Sequence, residues 1–202
     1  MVYYISRTIF WLLFKIFFRY RVNYIENIPT RGPFIIASNH LSFLDPAAAG
    51  CITKKRVSFL ARADLLDNVF FKWWATAVGV IPVQRGRFDM SAIKGTLDCL
   101  KRGGVVALFP EGTRSKDGAI KEPKAGVGFV AAKSGAPVVP VFIKGSDKAL
   151  PAHAMFIRLK HIEVMVGEPV WPDMFLKGGG YDYQALSREV MNRIAGFSRD
   201  EN

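Results

Sequence analysis

The sequence predicts an α/β fold with a mostly parallel central sheet flanked by helices. Three observations carry this. From residue 33 onward, short apolar runs alternate with helix-like segments. The runs are nearly continuous in Val, Ile and Phe, as expected of strands covered on both faces. No internal repeat, low-complexity tract or linker splits the 202 residues, so the alternation belongs to one domain.

The elements follow in order. Residues 3–20 read YYISRTIFWLLFKIFFRY. The longest uncharged run inside it is the seven residues TIFWLLF, far short of the roughly 20 that a spanning helix needs. On a helical wheel Arg7, Lys15 and Arg19 fall on one arc, while Ile5, Ile9, Leu12, Leu13, Ile16 and Phe17 fill the other side. Such a helix suits the plane of a membrane interface, with basic stems reaching headgroup phosphates. The alternative is an amphipathic helix packed on the protein's own core. A cleaved signal is disfavoured, because Lys15 and Arg19 interrupt the apolar region and no A-x-A site follows. The expected division is 1–22 as a membrane-anchoring helix and 23–202 as a catalytic domain.

PFIIAS (33–38) is the first strand. DPAAAGCITKK (45–55) is a helix, with Asp45 as N-cap candidate and Pro46 at its first position. VSFLA is the second strand, and LLDNVFFKWWATAVG (65–79) a strongly apolar helix. VIPVQ is the third strand. SAIKGTLDCLKRGG (91–104) is an amphipathic helix with Ile93, Leu97 and Leu100 on one face, stopped by Gly103 and Gly104. VVALF is the fourth strand, KAGVGFVAAKSG a glycine-rich helix and PVVPVFI the fifth strand. IEVMVGEPV (162–170) is the sixth strand, and YDYQALSREVMNRIAGF (181–197) a closing helix after a glycine turn at 178–180.

Charge narrows the partners. Lys and Arg number 28 against 17 acids, a net +11, which suits an anionic partner such as a membrane or a phosphorylated substrate. The cations form no single tract and no nucleic-acid motif appears, so nucleic acid is not an expected partner. Cys51 and Cys99 make no disulfide framework and imply a reducing compartment. His40, His153 and His161 lack ligand spacing, so no metal is expected.

In open α/β sheets, sites form at the carboxyl ends of strands. Three polar segments hold that position: SNHLSFLD after the first strand, QRG after the third and PEGTRS after the fourth. His40 and Asp45 are five residues apart, too far round a helix to meet. A turn between strand end and helix start would fold the carboxylate back onto the imidazole, leaving the other ring nitrogen as a general base. The alternative is a helix-capping Asp45 beside an ordinary loop histidine. In FPEGTRS, Gly112 lets backbone amides approach an anion, Thr113 offers a hydroxyl and Arg114 a bidentate fork; a polar turn with Glu111 paired to Arg114 is the alternative. Arg85 is a second cation on that edge. No GxSxG elbow is present and neither cysteine lies near a histidine in the sequence. A base and a phosphate clamp without a covalent nucleophile point to direct attack by a substrate hydroxyl on an activated acyl group.

NHLSFLD, GVIPVQRG, FPEGTRS and VVPVFIKG, in this order over residues 39–145, resemble the four blocks of the glycerolipid acyltransferase family. The resemblance is closest to the 1-acylglycerol-3-phosphate (lysophosphatidic acid) acyltransferases. It implies His40 as general base and Asp45 as its partner. Glu111, Gly112, Thr113 and Arg114 would form the acceptor phosphate site, with Arg85 in support. Family members often carry a basic residue after FxA, and FLAR puts Arg62 there. The donor would be acyl-CoA or acyl-carrier protein, the acceptor lysophosphatidic acid and the product phosphatidic acid, with no cofactor. Another lysophospholipid or a lyso-aminolipid is the alternative acceptor. The interface helix, with the reducing compartment read from the cysteines, gives an expected monotopic attachment to the cytoplasmic face of a membrane. Many members have two N-terminal hydrophobic segments; this chain has one short one.

Overall fold

Alternate residues of the central strands face opposite helical layers, and that alternation organises the molecule. The computed structural model describes residues 1–84, 89–115, 119–151 and 156–199. Helix α1 (Val2–Phe18) leads into β1 (Arg21–Asn23), then β2 (Phe34–Ser38), α2 (Asp45–Gly50), β3 (Val57–Arg62), α3 (Val69–Val78) and β4 (Ile81–Val83). Helix α4 (Met90–Lys101), β5 (Val105–Leu108), α5 (Gly126–Ser134), β6 (Val138–Lys144) and α6 (Ser146–Ala149) follow. Strand β7 (Glu163–Val166), a hairpin of β8 (Leu176–Lys177) and β9 (Gly180–Tyr181), and α7 (Tyr183–Arg199) complete the chain.

Seven strands form one sheet in the order β1-β7-β6-β2-β5-β3-β4. Strands β6, β2, β5, β3 and β4 are parallel. Strand β7 runs antiparallel to β6 and carries β1 parallel to itself. The predicted α/β fold with a mostly parallel sheet is therefore present. Phe34, Ile36, Val105, Ala107, Val139, Val141 and Ile143 face one core shared with α1, α2 and α3. Ile35, Ala37, Val106, Leu108, Val138 and Phe142 face a second core shared with α4, α5 and α7. Period-two alternation with both faces apolar explains why these runs read as continuous.

Several expectations change in detail. Asp45 is the first residue of α2 and not its N-cap; Leu44 holds the cap position without a side-chain bond. Helix α2 ends at Gly50, well before Lys55. The 65–79 segment divides into a 3-10 turn (Ala63–Asp67) and α3, whose start is capped by Asn68 accepting from the Phe71 N–H at 3.0 Å. The last predicted strand stops at Val166, and Val170 returns as an isolated bridge to Val138. On α4 the buried positions are Ala92, Thr96 and Leu100, with Ile93 and Leu97 half-buried.

Helix α1 has two sides. Tyr3, Phe14 and Phe18 are buried in the first core. Ile5, Ile9, Leu12, Leu13 and Ile16 are exposed on the opposite side. Arg7 is on the inner side: its Nε donates to the Thr53 carbonyl at 2.7 Å and its Nη2 to that of Cys51 at 3.4 Å. It therefore secures the chain leaving α2, and does not join Lys15 and Arg19 on an outward basic arc. Trp74 of α3 donates to Ser6 Oγ at 3.0 Å and fixes the two helices side by side.

Candidate active site

The parallel strands end on one edge, and β2 and β5 are neighbours there. The loop after β2 carries His40 and the loop after β5 carries residues 109–115. Asn39, fully buried, anchors the first loop. Its side chain donates to the Ile143 carbonyl at 2.9 Å and accepts from the Ile143 N–H at 2.7 Å, tying the end of β2 to β6. Ser42 Oγ donates to the Leu150 carbonyl at 2.7 Å.

The turn between His40 and Asp45 is tight. Asp45 is fully buried. Its Oδ2 accepts from the backbone N–H of Leu41 at 2.6 Å and of Ser42 at 2.7 Å. The same oxygen lies 3.0 Å from His40 Nδ1. A carboxylate oxygen that already takes two donors sets the tautomer: Nδ1 carries the proton and donates, and Nε2 keeps its lone pair. The imidazole also stacks on Phe109, with centroids 4.0 Å apart and planes at 20°.

The second loop reaches back to the first. Glu111 Oε1 accepts from the His40 N–H at 3.2 Å, and the Ser115 N–H donates to the His40 carbonyl at 2.8 Å. Glu111 is buried, and burial raises its carboxyl pKa above the ordinary value, opposed by N–H bonds from His40 and Lys121. Gly112 turns the chain at φ +71°, where a side chain would be strained. A Cβ there would also meet the Lys124 side chain, Nζ included, at 3.2 Å. Thr113 is exposed. Arg114 lies with its guanidinium carbon 3.6 Å from the Phe43 ring centroid, a cation–π contact between the two loops.

One other expected residue has its side-chain partner outside this cluster. Arg62 ends β3 on the same edge, but its guanidinium is paired with both carboxylate oxygens of Asp64. Arg85 falls outside the described residues. The Cys51 thiol is buried, and burial pushes its pKa up to about 11, against a nucleophilic role.

A family model described as Acyltransferase matches residues 19–144, more than half of the chain. The chain belongs to the acyltransferase family. The chain is 31% identical over 184 residues to a chloroplastic 1-acyl-sn-glycerol-3-phosphate acyltransferase of Brassica napus, covering 89% of this chain and 51% of the relative. It is 27% identical over 169 residues to the 1-acyl-sn-glycerol-3-phosphate acyltransferase of Bacillus subtilis, covering 83% and 82%. The crystal structure of the 1-acyl-sn-glycerophosphate acyltransferase PlsC from Thermotoga maritima superposes with a TM-score of 0.78 at 25% identity, covering 98% of this chain and 78% of that one. The chain spans about half the length of the plant relative.

The first and third sequence blocks meet on one edge of the parallel sheet, as expected, because β2 and β5 are neighbours. Sequence reasoning missed Phe43, Phe109, Asn39, Ser115 and Lys124. Phe43 and Phe109 lie inside the quoted blocks, yet nothing in their spacing shows that their rings face Arg114 and His40. Asn39 reads as a loop polar residue until its pairing with β6 is seen.

Proposed function

We propose that the protein transfers a fatty acyl group from a thioester, acyl-CoA or acyl-carrier protein, to the 2-hydroxyl of lysophosphatidic acid, giving phosphatidic acid. The observation that carries this reading is the His40–Asp45 pair held against the loop bearing Arg114. The names of the Brassica, Bacillus and Thermotoga relatives support this acceptor. His40 Nε2 takes the hydroxyl proton as that oxygen attacks the thioester carbonyl, while Nδ1–H stays bonded to Asp45. The tetrahedral intermediate collapses, the C–S bond breaks, and the leaving sulfur takes the proton from Nε2. Thiolate leaves readily, so the proposed chemistry draws on no metal or cofactor. Arg114 would pair with the acceptor phosphate, and the Gly112 turn with Lys124 above it adds a second cation to that loop.

The same reading places α1 and α3 against a lipid surface. Val69, Phe70 and Trp73 of α3 are exposed beside the outer face of α1, with Phe70 at 85%. Neither helix contains an acidic residue, while Lys15, Arg19 and Lys72 accompany the apolar side chains. An anionic bilayer complements such a face; a second copy would set cation against cation. No helix among the described residues is long and apolar enough to cross a membrane, so the proposed attachment lies in the interface plane.

The direct test follows thiol release from acyl-CoA with and without lysophosphatidic acid, with the lipid product identified. We expect release to rise with the acceptor and phosphatidic acid to form in step. Release that ignores lysophosphatidic acid, or that rises more with another lysolipid, would reject this acceptor.

A further inference from the structure

Resting on that reading, we infer that Glu111 is a positioning residue for the base and not a ligand of the acceptor phosphate. Glu111 as a residue is 4% exposed and its Oε2 is buried, which leaves little room for a bound ligand to reach the carboxyl. A carboxylate would also repel a phosphate at close range. Its visible partner is the backbone of the base: Oε1 accepts the His40 N–H at 3.2 Å. The Lys121 N–H also favours the charged carboxyl, while Oε2 is buried and takes no hydrogen bond among the described residues.

The 109–115 segment holds His40 in three ways. Phe109 covers one face of the ring. Glu111 binds the backbone N–H, and the Ser115 N–H binds the backbone carbonyl at 2.8 Å. Asp45 then fixes the ring from within the first loop. His40 leaves the end of β2, where the ladder to β5 and β6 has stopped, so its peptide groups need partners from a loop. Glu111 supplies one of them. Because Arg114 belongs to the same loop, the position of the base is tied to the position of the phosphate clamp. The hydroxyl and the phosphate of one acceptor are only a few bonds apart, and this link keeps the groups that would meet them in register. Misplacing a catalytic group by about 1 Å costs on the order of 100-fold in rate.

The test uses Glu111→Gln and Glu111→Ala in the full chain. Each is assayed for acyl transfer to lysophosphatidic acid and for slow thioester hydrolysis to water, which also needs the base but has no phosphate to anchor. Gln retains an oxygen that accepts the His40 N–H, and we expect both rates within about tenfold of wild type, since a neutral acceptor gives roughly half the strength of a charged one. In Ala we expect transfer and hydrolysis to fall together by about 100-fold, with the acceptor KM within about twofold. Circular dichroism reports folding; if the Ala variant unfolds, the Gln variant decides alone through its KM and its transfer-to-hydrolysis ratio. A severalfold change in acceptor KM, or hydrolysis that survives while transfer is lost, would overturn the inference by showing that Glu111 meets the acceptor. If wild type itself hydrolyses thioester but does not acylate lysophosphatidic acid, the acceptor assignment fails instead, and the hydrolysis arm still reads the role of Glu111.

Discussion

His40 is held by its ring and by both of its peptide groups, and that immobility sets the expectations for single substitutions. His40→Ala should abolish transfer, with circular dichroism and melting close to wild type, because the side chain is partly exposed and its contacts to Asp45 and Phe109 stay within the two loops. Near-wild-type turnover would remove it as the base. Asp45→Asn should cost about 1,000-fold or more in kcat, because the amide no longer fixes the donating tautomer at Nδ1. It should also lower stability by roughly 1–3 kcal/mol, since the fully buried Oδ2 takes two backbone donors at 2.6 and 2.7 Å. An Asn variant that is unstable yet fully active per folded molecule would reduce Asp45 to a loop brace. Arg114→Ala should act on the acceptor alone. Truncating a guanidinium that pairs with a desolvated phosphate costs on the order of 2–5 kcal/mol, or roughly 30-fold to several-thousand-fold in acceptor kcat/KM. Arg114→Lys should recover part of this, keeping charge but not the fork. Thioester hydrolysis should fall much less; a proportional fall in both would assign Arg114 to the donor or the fold. At this scale the sequence displayed His40 and Asp45 because a strand end and a helix start must lie close together. The stacking of Phe109 and Phe43 was not legible, because ring contacts between two loops leave no periodic signal.

At the scale of elements, local chemistry shows where legibility stops. Strands β2, β5 and β6 were readable because strands buried on both faces must be continuously apolar. Strand β1, with three residues, and the two-residue strands β8 and β9 were not, because such lengths carry no period. The reversed direction of β7 was hidden too, since direction depends on how the 145–162 connection travels and not on the strand's composition. Helix α4 offers a clean test of a local signal. Asp89 is its N-cap, with its carboxylate accepting from the N–H groups of Ser91 and Ala92, and from Gln84 across the preceding loop. The Gln84 N–H, then the Ser91 hydroxyl and the Ala92 N–H, lower its pKa to about 2. A lowered carboxyl pKa contributes stability that is present above the unfolded value near 4 and is lost as pH falls through about 2. Asp89→Ala should therefore lower the melting temperature at pH 7, with the gap to wild type narrowing below pH 4. A gap that stays constant down to pH 2 would show that the capping charge contributes nothing.

At the scale of the molecule, the edge bearing the candidate site belongs to a body with two unlike sides. The face carrying α4, α5 and α7 closes over its own core. The face carrying α1 and α3 closes over the other core and then presents a second apolar layer outward. Deleting residues 1–22 would strip Tyr3, Phe14, Phe18 and Tyr20 from that core and confound attachment with folding. Substitutions confined to the outer layer avoid this: Ile9→Ser and Ile16→Ser on α1, Phe70→Ser and Trp73→Ser on α3, all exposed. Exposed changes of this kind usually shift stability by no more than about 0.5 kcal/mol each. Fully burying such side chains in an apolar medium is worth about 1.5–3 kcal/mol apiece. Partial immersion of four should still amount to several kcal/mol, so the quadruple variant should bind vesicles at least about 100-fold more weakly. Either pair alone should give an intermediate loss if, as proposed, α1 and α3 meet the bilayer as one surface. Lys15, Arg19 and Lys72 should add roughly 1 kcal/mol each on anionic lipid, so wild-type binding should weaken on neutral vesicles and in high salt. Transfer should follow the same division: the quadruple variant should fail with lysophosphatidic acid embedded in vesicles and keep its rate with a short-chain, water-soluble acceptor. If it sediments with vesicles as wild type does, or loses both substrates equally, then α1 and α3 do not form the surface by which this acyltransferase meets its lipid.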